Sequence, residues 1–94
     1  MPNLVPSVSL PVRLSRKVTL DPANCSSAAH NAQTFTVTGL KTNHFVLVNA
    51  PNLETGVKIV AARCTAADTL ELTFVNFSGG DVNPASQVFF VIAL

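Results

Sequence analysis

Apolar and polar residues alternate through most of the chain, and helical periodicity is scarce. Across residues 8–20 the even positions read Val8, Leu10, Val12, Leu14, Arg16, Val18 and Leu20, and the odd positions Ser9, Pro11, Arg13, Ser15, Lys17 and Thr19. Successive strand residues point to opposite faces, so this pattern predicts a long strand with one buried side. Pro11 cannot donate to a ladder, which places the strand at a sheet edge or bends it there. Ahead of it, residues 1–7 (MPNLVPS) read as an extended arm, since the residue before a proline is biased toward β or polyproline II backbone.

Five shorter strands follow. "TFTVTGL" turns Phe35 and Val37 inward against a row of threonines. "HFVLVNAP" and "SQVFFVIAL" are near-continuous apolar runs, as expected of strands covered on both faces. "GVKIVAARCT" puts Val57, Ile59 and Ala61 on one side and Val60, Ala62 and Cys64 on the other. "TLELTFVNF" alternates Leu70, Leu72 and Phe74 with Thr69, Glu71 and Thr73. Residues 21–33 are small and polar without a period and predict a long loop, with a short helix at "SSAAHNA" as the alternative. A loop of that length is often functional. Residues 66–68 predict a tight hairpin, and Gly39, residues 51–56 and residues 79–84 carry the remaining turn signals. The expectation is one all-β domain over residues 8–94, a small β-sandwich or partly closed barrel of about six to eight strands, with an extended N-terminal arm.

Composition adds a constraint. In 94 residues, 48% are hydrophobic, only 12% are charged, and mean hydropathy is +0.40. So small a body has a high ratio of surface to volume and needs polar cover. The cover here is thin, which implies apolar surface buried against copies of the chain or another protein. The net charge of +1 gives no field to draw nucleic acid or an acidic membrane. Arg13, Arg16 and Lys17 form the one cationic cluster, read as a solvated edge or as a contact for an acidic patch. No signal-peptide pattern is visible and residues 88–94 are too short to span a bilayer, so synthesis and retention in a cytoplasm, or release by lysis, is expected.

Catalytic chemistry is not apparent. The acids Asp21, Glu54, Asp68, Glu71 and Asp81 are scattered, and solvation is their default. His30, in the predicted loop, and His44, opening a predicted strand, lack ligand-spaced neighbours. Cys64 reads as a small buried hydrophobe and Cys25 as a loop thiol, with a bridge between them left open. The six phenylalanines fall at apparently inward positions, and core packing accounts for them. Asn24-Cys25-Ser26 and Asn76-Phe77-Ser78 match the glycosylation triplet by chance. The chain is therefore expected to be no enzyme, with no cofactor and no metal.

From Phe35 onward the sequence resembles short structural proteins of tailed bacteriophages. "TVTGL", then "VLVNAP", then "VKIVAARCTAADTLELTFVNFSGG", a proline and a terminal apolar strand carry the likeness over about two-thirds of the chain. The resemblance implies a virion protein that decorates or cements the capsid. It would be made in the host cytoplasm and placed on the capsid surface, bridging major capsid proteins as a homo-oligomer, a trimer in preference to a dimer. Similar β modules occur in tail, fibre and head-completion proteins, which is the alternative placement. The candidate contacts are Leu4, Val5, Val8, Leu10, Val12, Arg13, Arg16 and Lys17 from the arm and first strand, with Asn24, His30 and Asn31 from the long loop. A module gripping a host-surface polymer would want Tyr or Trp, and the chain has neither.

Overall fold

A computed structural model describes residues 9–94. Its strands are β1 (Leu14–Leu20), β2 (His30–Thr36), β3 (Val46–Asn49), β4 (Val57–Ala66), β5 (Thr69–Asn76) and β6 (Gln87–Ala93), and no helix occurs among the described residues. They form two antiparallel three-stranded sheets, a first in the order β1-β6-β3 and a second in the order β2-β5-β4. The protein is all-β, and it is not a closed barrel: no strand pairing joins one sheet to the other. The predicted arm, with Leu4, Val5 and Val8, lies outside the described residues.

One core serves both sheets. Leu70, Leu72 and Phe74 of β5 are buried with Phe89, Val91 and Ala93 of β6, joined by Leu14, Val46 and Val57. Burying a Leu or Phe side chain stabilises the fold by about 1.5–3 kcal/mol, so these rows dominate what holds the sheets together. The alternation of β5 fixes its register, because a slip of one residue would turn Glu71 inward. The chain changes sheet after β1, β2, β3 and β5, and only β4 and β5 are joined by a hairpin. That hairpin turns at Ala67 and Asp68, where the sequence placed it, with Asp68 in the left-handed region at φ 61°.

Several sequence expectations are corrected. The first strand begins at Leu14 rather than at residue 8. Pro11 has no N–H to give, and β6 ends at Ala93, so residues 9–12 have no ladder partner. β1 is an edge strand, as Pro11 implied. The second strand starts inside the predicted loop, at His30, and ends at Thr36. Gln33 tolerates its inward position because its amide closes on the backbone of Ala23, accepting from the N–H at 2.7 Å and donating to the carbonyl at 3.1 Å.

Residues 37–40 form a turn instead of strand. Gly39 sits at φ 101°, and a Cβ there would stand 3.0 Å from Leu14 Cδ1. The Gly39 N–H donates to Asp68 Oδ1 at 2.8 Å, and the Asp68 N–H donates to the Leu40 carbonyl at 2.9 Å, which staples two turns together. In β4, register shifts between Ile59 and Ala61 and between Cys64 and Ala66 break simple alternation. Val57, Ile59, Ala62 and Cys64 therefore all meet the core, and Val60 is left 54% exposed.

Candidate interaction surface

The outward residues of the first sheet can be read from its register as rows across the three strands. Lys17 of β1 stands opposite Phe90 of β6, which stands opposite Asn49 of β3. The next row is Ser15, Ile92 and Leu47. Beyond it, Phe45 and Leu94 exchange backbone hydrogen bonds at 3.0 and 2.8 Å, and Arg13 is one step past Leu14 on the β1 side. The middle of this face is apolar and open: Phe45 is 61% exposed, Leu47 48%, Phe90 40% and Ile92 37%. No acid lies on it.

This overturns the expectation that the two apolar runs are covered on both faces. Each run is buried only on its inner side, at Val46 on β3 and at Phe89, Val91 and Ala93 on β6. With two sheets, each has one neighbour, and nothing else among the described residues covers the other side. The phenylalanines divide accordingly. Phe74 and Phe89 are fully buried and Phe35 packs partly on the core, whereas Phe45, Phe90 and Phe77 (71%) are exposed.

The second sheet is different outside. Its rows read Thr36 and Thr69, then Thr34, Glu71 and Arg63, then Ala32, Thr73 and Ala61, then His30, Val75 and Lys58. Arg63 Nε donates to Glu71 Oε1 at 2.9 Å. Apart from Val75, which is buried at one end, these rows are polar or small and meet water.

The sequence-predicted contacts do not converge on one site. Leu10 (63%) and Val12 (59%) are exposed beside the start of β1, with Arg13, whose N–H donates to the Ala93 carbonyl at 2.8 Å. Lys17 borders the apolar face, while Arg16 is opposite Val91 and its guanidinium lies by Gly39. Asn24, His30 and Asn31 belong elsewhere. Asn24 is exposed in the connection from β1 to β2 and reaches Asp81 Oδ2 at 3.4 Å. His30 opens β2 on the outer face of the second sheet, and Asn31 is half-buried with its amide on the Ala29 carbonyl at 3.2 Å.

The connection at residues 21–29 is pinned rather than free. Pro22 and Cys25 are buried, and Cys25 pairs with Val82 through backbone bonds of 2.7 and 3.0 Å. Cys25 is thus no loop thiol in the ordinary sense; burial, with Glu54 nearby, pushes its pKa up. Both cysteines are free. His44 lies in a turn rather than in a strand, its Nδ1 accepting from the Lys41 N–H at 3.1 Å.

The acids act as fasteners. Glu54 accepts from the Ala85 N–H at 2.7 Å and from Gln87 Nε2 at 2.9 Å, and these bonds hold its carboxyl below the usual range. Asp81 accepts from the Ser27 N–H at 3.1 Å. Asp68 and Asp81 stay exposed, in keeping with the default from sequence, while each also accepts a backbone N–H, and Glu54 and Glu71 are half-buried with partners. Among the described residues no three His, Cys, Asp or Glu side chains gather to hold a metal. A cleft of about 320 Å³ between β3 and β4, lined by Val48, Leu53, Val57, Ile59 and Lys58, has no acid, histidine or cysteine in its wall. Asn76 is fully buried, donating to the carbonyls of Cys25 and Gly80 and accepting from Ser78, so the second glycosylation triplet is closed to a glycan.

Fold and surface together define a small all-β module of two sheets, polar on one outer face and apolar on the other. No family model, curated protein or solved structure matches the chain.

Proposed function

We propose that this chain is a non-catalytic virion structural protein of a tailed bacteriophage, a decoration or cement module on the outside of the head. Its two sheets form a sandwich carrying an N-terminal arm, and it works as a homo-oligomer that bridges major capsid proteins. The observation that carries the reading is the open apolar face of the first sheet, in a chain with only 12% charged residues. Such a face is costly in water and marks a surface made to be buried. The resemblance from Phe35 onward supports the choice of partner.

The mechanism is mechanical. Each contact that buries apolar area adds about a few kcal/mol after ordering costs, and repetition over many capsid junctions resists rupture. Quantifying this chain in purified particles, and locating it by electron microscopy, tests the reading. Hundreds of copies on the head surface are expected. Absence from particles, or a handful of copies at the tail, would sink it.

A further inference from the structure

We infer that the outer face of the β1-β6-β3 sheet is a two-fold interface between copies of this chain, with β6 of one copy lying over β6 of the other. The inference rests on the reading above that this face is buried in an assembly, and it names the occupant.

Self-complementarity is the first argument. A two-fold axis running along the strands lays β1 of each copy over β3 of its partner and keeps the rows level. Lys17 then meets Asn49 of the partner subunit, a cation over an amide carbonyl. Arg13 meets the ring of the partner's Phe45, an arrangement that a guanidinium favours. The apolar middle rows, Phe90 and Ile92, meet their own counterparts. An axis across the strands would instead stack β1 on β1 and bring cation onto cation. The chain offers no acid on this face to relieve that, so the lengthwise axis is selected.

Area is the second argument. The four open side chains expose roughly a few hundred Å² of apolar surface, the size of the largest patch on an ordinary monomer. A stable interface buries about 800 Å² per partner, so the face needs extension. The polar ends of the same rows, Arg13, Ser15, Lys17 and Asn49, widen the apolar centre toward that area. The third argument is closure. Stacked sheets sit about 10 Å apart with their strands within about 30° of alignment, which a twisted three-stranded face accepts. The result is a four-layer body with the threonine-rich sheets outside. A two-fold contact closes at a dimer, in place of the trimer expected from the sequence.

The test uses the full chain and its mass in solution by analytical ultracentrifugation. Wild type is expected to be a dimer at micromolar concentration. Phe90→Glu and Phe90→Lys should each raise the dissociation constant at least about a hundredfold, because each places two like charges across the axis. A one-to-one mixture of the two should regain the dimer, since a residue on a two-fold axis meets itself. Val60→Glu, on β4 of the other sheet, should leave the dimer unchanged. Ile92→Cys, which leaves both phenylalanines in place, should be joined to its counterpart by a short bis-maleimide, whose reach suits sheets about 10 Å apart, and not by a direct disulfide. A monomeric wild type, a three-fold assembly, a Phe90→Glu chain that stays dimeric, or a mixture that stays monomeric overturns the inference. Failure here is separable from failure of the capsid reading. A wild-type monomer that still coats heads, and loses that binding on Phe90→Glu, would assign the face to the shell protein instead.

Discussion

The two sheets share one apolar core and have opposite outer faces. On the second sheet the outward row of β5 is Thr69, Glu71, Thr73 and Val75, flanked by threonines and by the Arg63–Glu71 pair. On the first sheet the outward positions of β6 and β3 are Phe90, Ile92 and Leu47. Strand alternation alone does not produce this difference, since both central strands alternate in burial. What differs is the chemistry of the second residue in each pair. A β module that lived alone would have two outsides like the second sheet. This one has an apolar outer face that no other described residue covers.

Neighbouring phenylalanines give the largest test of that contrast. Phe89→Ala empties a fully buried site between the sheets and should cost about 3–5 kcal/mol in a denaturant titration. Phe90→Ala, one residue on, should cost under about 1 kcal/mol in fold stability measured at concentrations that dissociate the assembly. Equal losses would mean that Phe90 belongs to the core of the single chain.

Next in size is the fastening of the sheets through Glu54. Its carboxyl is held below its ordinary pKa by bonds from Ala85 and Gln87, so its contribution is present above the unfolded value and is lost as pH falls through the folded one. Glu54→Gln should cost about 1 kcal/mol at neutral pH and flatten the acid limb of the stability curve. An unchanged acid limb would show that these bonds do not discriminate the folded state. The smallest effect belongs to the polar face. Arg63→Ala should change stability by under about 1 kcal/mol and leave the mass in solution as it was, because the side chain is 70% exposed. A change of assembly in that variant would move the interface to the wrong sheet.

The fold was legible where one residue type decided each position. β5 declares itself by strict alternation, the hairpin at Ala67 and Asp68 by its small turn residues, and the edge position of β1 by Pro11. β2 was hidden because Asn31 and Gln33 occupy its inward side, and only the distant backbone of Ala23 makes Gln33 tolerable there. β4 was misread in phase, since a bulge leaves no trace in a run of Val, Ala and Ile. The interaction surface was legible in amount but not in place. Low charge announced an apolar surface, yet the runs at residues 45–48 and 88–94 were given to the interior. The missing constraint was a count of layers: two sheets can cover only one side of each other.

The position of β6 has a consequence for how the chain comes to be folded. It is the last of the six described strands and central in its sheet, so β1 and β3 have no common partner until residues 87–93 have been made. The β4–β5 hairpin is the single local pairing and is ready earlier, which makes it the natural nucleus. A nascent chain halted before β6 would display two unpaired edges and an uncovered half-core, a species prone to aggregate. The first sheet thus waits on the strand that also brings Phe90 and Ile92 to its outer face.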